Sequence, residues 1–334
     1  SPYTGTDARL TLFSLDTSHV TITAGTYTRT ITVYPQTSTT VSVLDSSITR
    51  PFVNVPDTIL ASAIEVTSDR PISIICWFYS PNGSEAFVPL PVSAWGKEYF
   101  AMTLRNGLYF HAGNRGDLEE NIYPDYAPSQ IVLIAAENGT DVTINATTPT
   151  RRFTDTTIRL DRGDVYLIES HDPWTTTDTL SRDLSGTRIT SSRPIGVMSG
   201  NTRSSGGFGG IYITLPTGNT LTNTLIEWLT PSPSTGNTFV YRPIFTRSNE
   251  RTQELIRLYA TAPGTTSVAV SNGFPVKTIQ QGQFLQYSFC ADPALALPAG
   301  AFSAPFALRT DKPAAAMVVT ASLSELGGLL PDSS

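Results

Sequence analysis

The chain has 334 residues, a net charge of −6 and 15% charged residues, against about 25% in a typical soluble domain. That balance excludes the basic footprint of a nucleic-acid or anionic-membrane partner, and no apolar run reaches the roughly 18 residues of a membrane-inserted helix. Polarity comes from hydroxyls, with 48 Thr and 33 Ser beside 24 Gly and 24 Pro, so strand-favouring Thr and turn-making Gly and Pro predict an all-β chain.

In chain order the predicted elements fall into three similar runs. The first, residues 9–129, opens with Leu10-Thr11-Leu12-Phe13 and the alternating strand Val20-Thr21-Ile22. It then carries Val66-Thr67-Ser68-Asp69-Arg70-Pro71 before the strand Ile72-Ser73-Ile74-Ile75, and later Leu90-Pro91. The second, residues 130–253, has Ile131-Val132-Leu133-Ile134, Val142-Thr143-Ile144, Ile189-Thr190-Ser191-Ser192-Arg193-Pro194 and Leu215-Pro216. The third, residues 254–334, has Leu255-Ile256-Arg257-Leu258, Val268-Ala269-Val270, Leu308-Arg309-Thr310-Asp311-Lys312-Pro313 and Leu330-Pro331. The marker prolines lie 123 and 119 residues apart, a fixed period that signals internal repetition. Residues 1–334 therefore read as one repeat-built domain, with Asp69-Arg70-Pro71, Ser192-Arg193-Pro194 and Asp311-Lys312-Pro313 as structural turn markers.

Each repeat divides into two blocks of four short strands. In the second these are expected at 131–135, 141–145, 157–160 and 164–169, then at 187–190, 194–199, 211–215 and 224–229. Six four-stranded blocks predict a six-bladed β-propeller-like ring, with tandem β-sandwiches as the alternative. The third repeat ends one strand short, giving 23 of 24. The missing strand is expected from flanking sequence or from another subunit by β-addition.

Several segments resemble the N-terminal domain of IgG Fc-binding proteins. They include Asp69-Arg70-Pro71, Trp95-Gly96-Lys97-Glu98-Tyr99-Phe100, Ile134-Ala135-Ala136-Glu137-Asn138-Gly139-Thr140-Asp141, Leu160-Asp161-Arg162-Gly163-Asp164 and Asp183-Leu184-Ser185-Gly186-Thr187. The resemblance extends over most of residues 9–322, weakening near 105–128 and in the third repeat, where Lys312 replaces the arginine. It implies an extracellular adhesive or structural role within longer chains, without a residue set for immunoglobulin binding.

Catalytic signals are absent by sequence: His19, His111 and His171 stand apart, and no metal-ligand spacing or nucleophile elbow occurs. No cofactor or metal is implied. Glu119-Glu120 and Asp161 with Asp164 are candidate carboxylate pairs for glycoside chemistry by proximity alone, and turn capping is the simpler reading. The glycines at 206–210 read as a hairpin loop. Arg115-Gly116-Asp117, in the longest irregular stretch, is a candidate adhesion motif, whereas Arg162-Gly163-Asp164 reads as an ordinary hairpin. Asn82, Asn138 and Asn145 head N-glycosylation sequons. Cys76 and Cys290, placed in opposite blades of such a ring, are expected as buried free thiols.

The function expected is a non-enzymatic, secreted or cell-surface module that assembles filaments, matrix or mucus through protein subunits or neighbouring domains. A carbohydrate-binding module using exposed aromatics such as Trp174 and Tyr109 is the alternative, with a propeller glycosidase far behind.

Overall fold

The computed structural model describes residues 7–43, 55–80, 83–104, 107–112, 122–171, 183–204, 211–214, 223–242, 252–271, 275–290 and 306–322. The first repeat supplies β1 (Asp7–Ser14), β2 (Ser18–Ala24), β3 (Tyr27–Val33), β4 (Ser38–Ser42), β5 (Ile59–Ala61), β6 (Ile64–Ser68), β7 (Ile72–Ser80), β8 (Gly83–Phe87) and β9 (Gly96–Phe100). After β10 (Gly107–Ala112) and β11 (Ile122–Ala127), the second supplies β12 (Ser129–Ala135), β13 (Thr140–Asn145), β14 (Asp155–Leu160), β15 (Asp164–Glu169) and β16 (Arg188–Ser204). It continues with β17 (Ile211–Thr214), β18 (Asn223–Trp228) and β19 (Gly236–Tyr241). The third has β20 (Thr252–Ala260), β21 (Thr265–Val270), β22 (Lys277–Gln280), β23 (Phe284–Cys290) and β24 (Phe306–Ser322). The class is all-β, with no α-helix among the described residues.

Pairing, rather than strand count, defines the architecture. β1 pairs with β4 and β7, while β2 pairs with β3 and β6. Consecutive β1 and β2 thus lie in different sheets, and the alternating residues Leu10, Leu12, Val20, Ile22, Val33 and Val41 form one core between them. The same set recurs as β12 with β15 and β16, and β13 with β14 and β16. It recurs again as β20 with β23 and β24, and β21 with β22 and β24. A propeller blade pairs strands that are neighbours in sequence, so these residues do not form six separate blades. The described residues form curled, nearly closed sheets joined through their long strands, and the expected ring of six blades is not seen among them. The count of 23 strands toward 24 therefore finds no support in the pairing.

The long strands explain the recurrent marker. β16 pairs with β13 at residues 188–191 and with β12 at residues 195–201, so it changes partner at Ser192-Arg193-Pro194 and the curled sheet turns there. β24 crosses in the same way at Asp311-Lys312-Pro313, and in the first repeat the crossing divides the strand into β6 and β7. Proline lacks the ladder N–H and tolerates this corner. The first marker residue pins the opposite strand: Asp69 Oδ1 accepts the His19 N–H at 2.7 Å, Ser192 Oγ that of Asp141 at 2.9 Å and Asp311 Oδ1 that of Ser267 at 2.7 Å.

Each repeat also completes its successor. β9 pairs with the first half of β16, placing Tyr99 opposite Ile189, and β19 pairs with the first half of β24, placing Phe239 opposite Leu308. Both strands follow a 3-10 turn led by proline, at Val92–Ala94 after Pro91 and Ser232–Ser234 after Pro231. The structural counterpart of Leu90-Pro91 is therefore Thr230-Pro231. Leu215-Pro216, chosen from sequence, lies outside the described residues, as does Leu330-Pro331.

Candidate functional site

The most developed polar cluster lies where the second and third repeats meet. β20 reads Leu-Ile-Arg-Leu, and Arg257 is only 4% exposed although it interrupts an apolar run. Its Nη1 donates to Asp183 Oδ2 at 2.7 Å, the Thr103 carbonyl at 2.7 Å and Ser185 Oγ at 3.0 Å, and Nε donates to Gln286 Oε1 at 2.9 Å. The guanidinium also sits over the Phe284 ring, 4.4 Å from its centre. Asp183 in turn accepts the Ser185 N–H at 3.0 Å, the Thr103 hydroxyl at 2.7 Å and the Ser185 hydroxyl at 2.6 Å. The clasp joins the segment after β9, the Asp183-Leu184-Ser185-Gly186-Thr187 run and β20 in a satisfied network.

Electrostatics here favour a fixed ion pair over chemistry. Burial opposes the Arg257 charge, but Asp183 and Tyr259 outweigh it and hold the guanidinium above its ordinary value. Burial, against the pull of Arg257, pushes the fully buried Tyr259 phenol up to about 12. A permanently charged arginine and a permanently protonated tyrosine do not exchange protons near neutrality. Close backbone contact accompanies the clasp: Gly186, at φ +84°, lies so near Gly282 that an added Cβ would fall on the Gly282 carbonyl oxygen.

The junction between the first and second repeats uses equivalent elements. The Gly163 carbonyl accepts the Ala63 N–H at 3.1 Å, Arg162 pairs with Glu65, and β5 adds to β15. Arg162-Gly163-Asp164 is therefore the contact turn of this junction, with Gly163 at φ +86° and Asp164 accepting the Asp161 N–H at 2.8 Å. Asp57 reaches the same junction near Arg152 at 3.8 Å, and burial, partly offset by Arg152, raises its pKa. On the far side, β8 meets β18, with Phe87, Trp95 and Trp228 in ring contact.

The sequence candidates are scattered rather than convergent. Asn138 is exposed and its Oδ1 accepts the Arg162 N–H at 2.9 Å, whereas Asn145 is exposed at the end of β13. Asp161 Oδ1 accepts the Gly139 N–H at 2.7 Å, so both Asp161 and Asp164 hold turn backbone. His19 is exposed, with Nδ1 3.4 Å from the Thr32 hydroxyl. Arg70 is exposed, Arg193 pairs with Glu137 at 2.6 Å, and Lys312 Nζ donates to the Pro263 carbonyl at 2.8 Å. Pro71 is exposed, Pro194 is half-buried, and Pro313 accepts the Thr261 hydroxyl at 3.0 Å through its carbonyl. Cys76 is a free, half-buried thiol in β7, pushed up to about 12 by burial. Cys290 ends β23, opposite Gln253 in the register. Asn82, Arg115, Gly116, Asp117, Glu119, Glu120, Trp174 and the glycines at 206–210 lie outside the described residues. Among the described residues no three His, Cys, Asp or Glu side chains gather as a metal site.

Sequence reasoning missed the clasp, although both halves were visible. In the sequence Arg257 stands within an apolar strand and Asp183 within a family motif, 74 residues apart. The available signal was a lone arginine inside a strand whose other residues are core.

Curled β units that hand a strand forward and lock their junctions with buried polar contacts define an all-β scaffold. The chain belongs to the IgGFc binding protein family, whose model matches residues 85–328. The matched span begins in β8, so it contains both β9 and β19, the strands that complete the second and third units. No curated protein and no solved structure matches the chain. The family is one of protein-binding domains, typically extracellular and not known for catalysis. No helix of the described residues is long and apolar enough to cross a membrane.

Proposed function

We propose that this chain is a non-enzymatic structural and adhesion module of the extracellular space, which builds protein assemblies such as matrix, mucus or surface filaments. The three repeats act as one domain whose loops and strand edges meet other subunits or other domains of a longer chain. The observation that carries this reading is strand transfer from each repeat to the next, because a fold that grows by donated strands presents the same kind of edge to further partners. Arg115-Gly116-Asp117 is a second adhesive motif in this reading, and Asn82, Asn138 and Asn145 are its glycan attachment points.

The test is surface plasmon resonance of the chain over immobilised copies of itself and over purified matrix and mucus proteins. Saturable binding to a protein surface that survives deglycosylation of that partner is expected. Binding confined to free glycans would replace the reading with the carbohydrate-binding one, and turnover of a glycoside panel would replace it with an enzyme.

A further inference from the structure

The outer edge of β6 occupies the position that receives a donated strand in the other two repeats. By the marker alignment, Val66 corresponds to Ile189 and Leu308, and Ile72 corresponds to Ile195 and Ala314. Where β9 and β19 are in place, Ile189 and Ile195 are 0% exposed, Leu308 is 1% and Ala314 is 0%. Val66 and Ile72 remain half-buried, and among the described residues β6 pairs only with β2. Tyr99 shows what the donor contributes: it is 0% exposed, and its hydroxyl donates to the Ile195 carbonyl at 2.7 Å while accepting the Gly96 N–H at 2.7 Å.

Backbone direction agrees with this placement. The Asp69 N–H donates inward to the His19 carbonyl, so strand alternation turns the polar groups of Ile64, Val66 and Ser68 outward. In the second repeat the residue equivalent to Ile64 is Thr187, whose carbonyl accepts the Ala101 N–H just after β9 at 2.9 Å. The contact turn is also prepared. Gly163 and Gly282, which rest on the preceding repeat, correspond to Gln36, and Gln36 keeps the same left-handed backbone at φ +59° beside Tyr34, which is 59% exposed.

We infer that the β6 edge, with the Tyr34–Thr37 turn, is an acceptor face for a strand donated by another module of this family. The donor is a proline-led turn followed by a glycine and then an aromatic in the place of Tyr99. One position sets its preference. Glu98 of β9 pairs with Arg188 at 2.7 Å, whereas the residue equivalent to Arg188 in β6 is Glu65, a half-exposed carboxylate that already pairs with Arg162 on one side. A glutamate would be repelled there, so the incoming strand carries lysine or arginine where β9 has Glu98 and shares the Glu65 carboxylate with Arg162. This inference rests on the assembly reading and names the face and chemistry of one partner. Uncovered edges of this kind are otherwise aggregation-prone, which gives the face a reason to be occupied.

The probe is a fluorescent peptide of residues 90–100 carrying Glu98→Lys, titrated into the whole chain by anisotropy, with hydrogen exchange locating it. Expected are saturable binding and at least tenfold slower exchange at the Val66 and Ser68 amides. Adding Tyr99→Ser to the peptide is expected to weaken binding about tenfold, since a buried aromatic anchor carries such contacts. Absence of saturable binding at about millimolar peptide would overturn the inference. So would protection at residues 188–190 or 306–309 instead, which marks displacement of β9 or β19. Equal binding by an unrelated β-strand peptide of the same length refutes the donor chemistry. Because these controls alter the peptide, they do not depend on folding of a variant. If the peptide fails while the chain still binds matrix or mucus protein surfaces, this inference falls and the assembly reading stands.

Discussion

Removing the carboxylate of Asp183 is the sharpest test of the junction, because it leaves the Arg257 charge in place. At an effective dielectric near 20, unit charges about 4 Å apart attract by roughly 4 kcal/mol, most of which offsets the cost of burying them. Asp183→Ala therefore costs about 3–5 kcal/mol, the range for stranding one member of a buried pair. Arg257→Met is milder, about 1–3 kcal/mol, because Asp183 keeps hydrogen bonds from Thr103 and from both Ser185 groups and its side chain retains 13% exposure. The double variant should match Arg257→Met more closely than the sum of the two, since the stranded charge is gone. Native-state hydrogen exchange at the β20 amides is the appropriate assay, because a chain with several separate cores need not unfold as one unit. An Arg257→Met penalty equal to or above that of Asp183→Ala, or strict additivity in the double variant, would refute the clasp.

Gly186→Ala should disrupt the same junction by about 2 kcal/mol or more, from its positive φ and the clash with the Gly282 carbonyl; Gly25→Ala, with a positive φ but open space, should cost only about 1 kcal/mol by urea titration. Glu85 and Glu227 both have raised pKa values through burial, Glu85 also through repulsion by Glu227. A raised carboxylate contributes stability that is full below the unfolded value of 4.5 and lost as pH rises through the folded value. Glu85→Gln should therefore raise the melting temperature at pH 7 and flatten its fall above pH 4.5, and an unchanged pH profile would count against that account. The Cys76 thiol, held near 12, should react with iodoacetamide at pH 8 orders of magnitude more slowly in the folded chain than in urea, as read by peptide mass spectrometry. Equal rates in both conditions would show that β7 does not bury it.

The all-β class and the places where marker prolines interrupt a strand were legible in the residue pattern alone. These depend on local rules: alternation puts Leu10, Leu12, Val20 and Ile22 on buried faces, and proline punctuates wherever a strand changes partner. Only tertiary structure decided which strands are partners. Alternation marks the side of a strand that is buried without naming its neighbour, so β1 beside β2 in a blade and β1 across a core from β2 share one pattern. The forward transfer of β9 and β19 was equally hidden, since pairing across repeats leaves no local periodicity. Arg257 and Asp183, 74 residues apart, became a site because two junction surfaces met and excluded water around them. Burial gave that pair its consequence, and burial is a property of the assembled repeats.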